Sequence, residues 1–411
     1  MSTEFVNSLK DKFFSIRQTD ELVCFDFFNS YPFLDKNKII YDVKTLYDLA
    51  GYETDDLVPL AEKVLGRSRI ANYILLSKKM NAYLKSYKDS KIDYSKFSIE
   101  RLLPKDLYEK ICSERSAILY ELYQKSEEKE FYKTFFSVLK CLFEISSSPL
   151  YIDLNSIKED NSRFSSLIRL LAKNDQLFLH FSAVGAKTGR LSFKKGTVSI
   201  YHLPKELRKC IVAPKDYQIV QFDFKSFQPR LAIFCTDDKD FRNKFVDVED
   251  IYSVFPGERE KNKIEFLSWM FAKKRKHPIF DDVAGAILFF RKKLLSVKHN
   301  DKLVNKFGRT LHCGNEEENI VFQNYITSNE VDAILTLMVS IHQSLKDRKS
   351  RILLPFHDCI IFYIHDSEMA LIKEIKNIME TKHKDLFGSS FPVTVKIGQN
   401  FGNMKTFKEL S

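Results

Sequence analysis

Two aspartates and one helical stripe carry the chemistry legible in this sequence. Asp223 lies near the end of the apolar, β-branched run "IVQFDF", and Asp358 sits at the turn of "PFHDCIIFYI". Each carboxylate interrupts a segment that otherwise reads as buried strand, where its desolvation is costly unless a cation or hydrogen-bond donors meet it. Taken singly, either acid is also what a helix cap or a satisfied turn looks like. Brought together, the two are hard oxygen ligands for divalent metal. In phosphoryl transfer, two such ions about 4 Å apart activate the attacking hydroxyl and neutralise the leaving oxygen. Between the acids, "GEREKNKIEFLSWMFAKKRK" places Arg259, Lys263, Leu267 and Phe271 at four-residue spacing, one stripe of a helix. Two cations followed by two bulky apolar groups suit a nucleoside triphosphate, phosphates at one end and base at the other. Alone, the stripe is equally an amphipathic helix with a solvated basic end.

The elements around these residues read as an α+β chain. Residues 1–120 have apolar side chains at three- and four-residue spacing ("DVKTLYDLAGY", "LVPLAEKVLG", "IANYILLSKKMNAYLKSY"), the mark of helices without visible chemistry. A further helical stretch covers about 113–146, and "PLYIDLNSI" follows as a short extended piece. After residue 180 short strands with Gly and Pro punctuation take over, 250–330 returns to charged helix, and 351–365 reads as two strands meeting at a polar turn. Two β-rich segments thus flank a helical insertion, and their turns hold the acids.

Composition sets wider bounds. The 411 residues, 44% hydrophobic, can bury a large core distributed over two or three lobes. No apolar run approaches a membrane span, "MSTEFVNSLKDKFF" lacks the order of a signal peptide, and the seven scattered cysteines include no CxxC pair, so a reducing cytoplasm is expected. Sixty-five Lys and Arg against fifty-five Asp and Glu leave +10, which fits a polyanionic partner without requiring one.

The order of these segments resembles that of family A DNA polymerases. The likeness is carried by "TGRLSF" (188–193), "RKCIVAPKDYQIVQFDFKSFQPRLAIF" (208–234), the Arg259 to Phe271 stripe, "FGRTLH" (307–312), "PFHDCIIFYI" (355–364) and "VTVKIGQNFGNM" (393–404), and spans roughly 120–411. It implies a right-hand polymerase in residues 121–411, with an antiparallel palm sheet (about 121–249 and 331–411) and helical fingers (about 250–330). A mostly helical domain of unknown role, 1–120, precedes it. It implies Asp223 and Asp358 as catalytic metal ligands for two Mg²⁺ ions, replaceable by Mn²⁺, with the backbone carbonyl of Phe224 as a further ligand. Arg259 and Lys263 would grip the incoming triphosphate, Leu267 would pack under its sugar and Phe271 would stand beside the template base. Arg190, His357 and Arg309 would lie along primer and template.

Departures from the family pattern shape the expected function. The family's glutamate five residues after the first aspartate is Gln228 here, which puts sugar discrimination in question; Gln228 is counted with the nucleotide-binding residues. The acid expected after the second aspartate is Cys359. The family's Gln-rich helix reads "FQNYITSNEVDAIL", where Asn324 and Thr327 are weak substitutes. "LVCFDFFNSYPFLD" offers Asp26 without an exonuclease partner, and its aromatics Phe25, Phe27, Phe28, Tyr31 and Phe33 read as core before base-stacking groups. Between "YIDLNSI" and "TGRLSF" only a short stretch stands where the family has a long helical thumb, so product duplex should dissociate early. The expected activity is DNA-directed DNA polymerisation on single-stranded and primer-template DNA from dNTPs, with NTP use left open. Short products point to a primase-like replication enzyme, similar to reduced polymerases of mobile elements such as staphylococcal cassette chromosomes, working beside a small accessory protein and a helicase. The alternatives are a short-gap repair polymerase and an inactive, polymerase-like DNA-binding subunit.

Overall fold

A computed structural model describes residues 21–24, 39–50, 52, 56–89, 103–157, 163–183, 186–194, 197–273 and 280–407. Asp26, Phe25, Phe27, Phe28, Tyr31 and Phe33 lie outside the described residues, as does most of "KKRK". The chain divides into two compact units, Met1–Leu139 and Lys140–Ser411.

Among its described residues the first unit is mostly helical, as its periodicity predicts, and adds a strand pair. Strands Glu21–Cys24 and Ile39–Asp42 pair in parallel, Glu21 opposite Ile39, a pairing that leaves no alternation long enough to read in sequence. Asp42 ends the second strand and caps the helix Val43–Leu49, its Oδ1 accepting from the Lys44 amide (3.1 Å) and its Oδ2 from the Thr45 hydroxyl (2.6 Å). Helices Leu57–Leu65, Arg67–Asp89 and Lys105–Lys125 follow. Leu60, Ile70, Ile111, Ile118 and Leu122 form the core of this unit, buried by the stripe on each helix that repeats at three and four residues. The Arg69 guanidinium bridges to Glu121 through Nε (2.8 Å).

The second unit is built on a five-stranded antiparallel sheet. Strand β1 (Tyr217–Phe224) is central, flanked by β3 (Cys359–His365) and β4 (Val393–Gly398), with β2 (Arg351–Phe356) and β5 (Lys405–Thr406) at the edges. β2 and β3 form the hairpin read from 351–365. Pro355, which cannot donate to a ladder, is tolerated because β2 is an edge. Around the sheet stand helices α1 (Phe227–Phe234), α2 (Arg259–Phe271), α3 (Asp281–Ser296) and α4 (Glu318–Ser344). α4 is one unbroken helix of 27 residues, buried from Val321 through much of its length to Ile341. One face of β1, carrying Val220, Phe222 and Phe224, lies in an aromatic core: Phe222 meets Phe362 edge-on at 5.2 Å, and Phe224 stacks on Phe227 at 4.2 Å.

Candidate active site

Because side chains alternate along a strand, Gln221 and Asp223 emerge on the face of β1 opposite to Phe222. Their cross-strand partners on β4, Lys396 and Thr394, share that face. On the other side of β1, Cys359 stands opposite Asp223 in register, which places the preceding residue, Asp358, at the same end of the sheet. The Phe224 amide donates to the Asp358 carbonyl (3.4 Å), tying the hairpin turn to the end of β1. Two carboxylates 135 residues apart in sequence therefore share one cavity of about 730 Å³.

The turn that presents Asp358 is strained. His357 has φ +56°, in the left-handed region that favours glycine. Its ring packs against Phe356 (4.7 Å between centroids) and Tyr201 (5.2 Å), which hold this conformation. Ser226, at the β1 to α1 junction, is left-handed as well, at φ +53°. Both residues line the cavity.

The opposite wall comes from α2. Lys263 and Leu267, one helical turn apart, face the cavity together with Arg259. Lys263 acts electrostatically on both Asp223 and Asp358. Arg259 is bound to Asp250 and Glu260 and lies over the Tyr252 ring (5.6 Å), so a phosphate taking it must displace two carboxylates.

Burial first, and then the charge of Asp358, push the Asp223 carboxyl up from 3.8 to about 6, and burial also raises Asp358. Gln221 Nε2 donates to Asp223 Oδ2 (3.1 Å) and offsets part of that cost. The charged forms of both acids are thus held at a disadvantage that a divalent cation between them would remove. Among the described residues no cluster of three or more His, Cys, Asp or Glu could hold a metal by itself. Two carboxylates with a backbone carbonyl are nevertheless the protein share of a Mg²⁺-type site, whose remaining positions go to water and substrate phosphate. The donor set fits that group.

A third carboxylate in this cavity escapes sequence reasoning. Glu330, on α4, is 6% exposed. Its Oε2 accepts from Gln228 Nε2 (2.8 Å) and lies 3.7 Å from Arg190 Nη2. Burial pushes it up from 4.5 to about 7, with Asp358 adding to the rise. Inside the helical run "FQNYITSNEVDAIL" it reads as an ordinary acid of an amphipathic helix; the one available signal is Gln228, which stands where the sequence resemblance leads one to expect an acid.

Asp223, Phe224, Asp358, Arg259, Lys263, Leu267, Gln228, Arg190 and His357 all line the cavity, and Arg309 and Phe271 do not. Arg309 is 3% exposed, its Nε and Nη2 donating to the two oxygens of Asp332 at 2.8 and 2.6 Å. It has no free face to offer a primer or template. Gly189 of "TGR" lies against the same guanidinium, so the "TGR" and "FGR" segments meet in a buried contact. Phe271 turns toward Phe322, with 6.1 Å between ring centroids. Of the weak substitutes on α4, Thr327 is buried and Asn324 donates to Glu316 (3.1 Å).

No family model matches the chain, and no curated protein matches it in sequence. Among solved structures, the POL domain of Pol1 from M. smegmatis, in complex with DNA primer-template and dNTP, is similar in fold with a TM-score of 0.69 and 13% identity. The likeness covers 92% of this chain and 86% of that one. Lys140–Ser411 alone is only about two thirds of the chain, so the likeness extends into the first unit. Among the described residues no helix is long and apolar enough to cross a membrane.

Proposed function

We propose that the chain is a template-directed DNA polymerase, transferring a nucleotidyl group from a dNTP to a primer hydroxyl. One observation carries this reading: within a polymerase-like fold, Asp223 and Asp358 open into a single cavity whose facing wall bears Lys263 and Arg259. In it the sheet serves as palm, and the helical region 250–330 as fingers.

Asp223, Asp358 and the Phe224 carbonyl would hold two divalent ions, Mg²⁺ with Mn²⁺ as substitute. When bound, the ions supply charge neutralisation at the attacking and leaving oxygens. The chain's own groups position the reactants. Lys263 and Arg259 take the triphosphate tail, Arg259 by exchanging Asp250 and Glu260 for phosphate. Leu267 supplies the apolar contact one turn further along. Arg190 and His357 line the cavity on the Glu330 side and meet the nucleic-acid strand, in keeping with the +10 charge of the chain.

The test is primed incorporation by wild type and Asp223→Ala, with DNA binding measured in parallel. Loss of incorporation with binding kept supports the enzyme; a wild type that binds DNA and incorporates nothing, with Asp223→Ala binding equally, supports a DNA-binding subunit instead. The finer reading is a primase-like enzyme of a mobile element, aided by a small accessory protein and a helicase. It predicts products on a bare single-stranded circle with Mg²⁺ or Mn²⁺, absent with Asp358→Asn. Extension confined to primed or gapped templates makes short-gap repair the role.

A further inference from the structure

The lysines and arginines that line the cavity are not matched alike. Arg190 has Glu330 at 3.7 Å, Lys225 is bound to Glu249, and Arg259 is bound to Asp250 and Glu260. Among the described residues, Lys263 and Lys396 have no carboxylate within the 4.0 Å of an ion pair, and neither ammonium donates a hydrogen bond. Lys263 is exposed on α2, where the triphosphate tail is held. Lys396 stands on the sheet, on the facing wall.

The strand that carries it, "VTVKIG", sends Val393 and Val395 into the core, 4% and 3% exposed, so Thr394 and Lys396 rise from its other face. Lys396 is opposite Gln221 on β1 and Thr406 on β5, on the face that bears Asp223. Its side chain is half-buried, so the charge has lost part of its hydration without gaining a counter-ion. Asp223 feels this charge, as it feels Lys263, yet lies beyond ion-pair reach of both. An anion entering between the sheet and α2 therefore meets unmatched positive charge on either side.

The anions of nucleotidyl transfer are phosphates, those of the incoming nucleotide and those of the strand. β4 flanks β1 on the side away from the β2 to β3 turn, and that turn carries His357, which with Arg190 meets the strand. Lys396 is thus left to the nucleotide. Building on the polymerase reading, we propose that Lys396 binds a phosphate of the incoming dNTP, holding the triphosphate from the sheet while Lys263 and Arg259 hold it from α2. A lysine serves here as a point charge on a flexible stem, so arginine should replace it in part and an uncharged side chain should not.

The experiment compares wild type, Lys396→Met and Lys396→Arg in three measurements: calorimetric Kd for dATP with Mg²⁺, Kd for a primer-template duplex across a salt series, and KM and kcat for dATP in primed extension. Lys396→Met is expected to raise Kd and KM for dATP by roughly tenfold, the size of one charge-assisted contact, with kcat changing far less. Lys396→Arg should stay within about threefold of wild type, and the duplex affinity and its salt slope should not move. Values for dATP within about twofold of wild type in Lys396→Met overturn the proposal. A loss confined to the duplex, with the salt slope falling by about one, overturns it too and makes Lys396 a strand contact. A fall in kcat with Kd and KM unmoved also overturns it, since Lys396 would then act on Asp223 and not on substrate. If Lys396→Met fails to fold by circular dichroism, Lys396→Gln decides by the same three measurements. Unmoved dATP binding in an active enzyme defeats this inference alone, whereas a wild type that extends no primer defeats the polymerase reading and the inference with it.

Discussion

Glu330 and Asp332 are two residues apart on α4, both nearly excluded from water, and they live by different rules. Two steps of about 100° turn them to nearly opposite faces of the helix. Asp332, 3% exposed, is answered on both oxygens by Arg309 and again by Asn305 Nδ2 (2.8 Å). Asn305 Oδ1 in turn accepts from the Phe307 and Arg309 amides, both at 2.9 Å, and fixes the loop that brings the guanidinium in. Glu330 faces the cavity with Asp358 as electrostatic neighbour and Arg190 only at 3.7 Å. Where both oxygens are met by a paired cation and a further donor, a buried charge is scaffold; where it is left partly unmet beside like charges, the fold carries a cost that an opposite charge would relieve.

Breaking each region should therefore give effects of opposite sign on stability. The largest effect is on activity: Asp223→Asn is expected to lower primed incorporation on the order of 10²–10³-fold or more, read by steady-state extension. Next, Asp332→Asn leaves the Arg309 guanidinium buried and uncompensated and should cost about 3–5 kcal/mol in chemical denaturation. Replacing the pair together, Arg309→Met with Asp332→Leu, should recover most of that loss. Asp223→Asn, by contrast, should stabilise the metal-free protein by roughly 1–3 kcal/mol at pH 8, since it removes a carboxylate whose charged form is disfavoured in the fold.

The same contrast has a pH signature. For acids pushed up on folding, the stabilising contribution is complete below their ordinary values of 3.8 and 4.5, and is lost as pH rises through about 6 for Asp223 and about 7 for Glu330. Metal-free melts between pH 4 and 8 should show stability falling across that window. Asp223→Asn and Glu330→Gln should each flatten the fall, and a divalent cation should flatten it for the wild type. A slope untouched by either substitution would erase the distinction between the two regions. The smallest effect belongs to Gly189→Ala. With φ +78° and an added Cβ only 2.5 Å from Arg309 Cζ, it should lose about 1–2 kcal/mol by displacing the buried pair, with the cavity acids undisturbed.

What is legible in the sequence follows from how local each signal is. Asp223 and Asp358 stand out because a charge inside a β-branched run is anomalous within a few residues. The hairpin 351–365 and the strand-to-helix passage at 219–234 are read from alternation and periodicity alone. Arg309 is assigned to primer and template through the resemblance of "FGRTLH" alone; its partner Asp332 lies on another element, and no local pattern announces a pairing closed by tertiary packing. Phe271 keeps the four-residue spacing of the stripe, yet its ring packs on Phe322, a contact that spacing on one helix does not determine. Glu330 is hidden for the converse reason: in a helix, one acid among polar neighbours is unremarkable, and only the sheet and α1 beside it make it a cavity wall. The parallel pair Glu21–Cys24 with Ile39–Asp42 eludes reading because each strand is four residues long.

The alternation along β1 also bears on how the chain avoids folding wrongly. A slip of one residue between Tyr217–Phe224 and its neighbours would exchange its two faces, sending Asp223 into the layer now filled by Phe222, Phe362 and Phe224. Such a misaligned sheet would have to desolvate a carboxylate among aromatic rings while exposing those rings to water, and it would be rejected during assembly. The aspartate thus proofreads its own placement: a one-residue insertion or deletion within this strand should yield insoluble protein rather than a folded but inactive one.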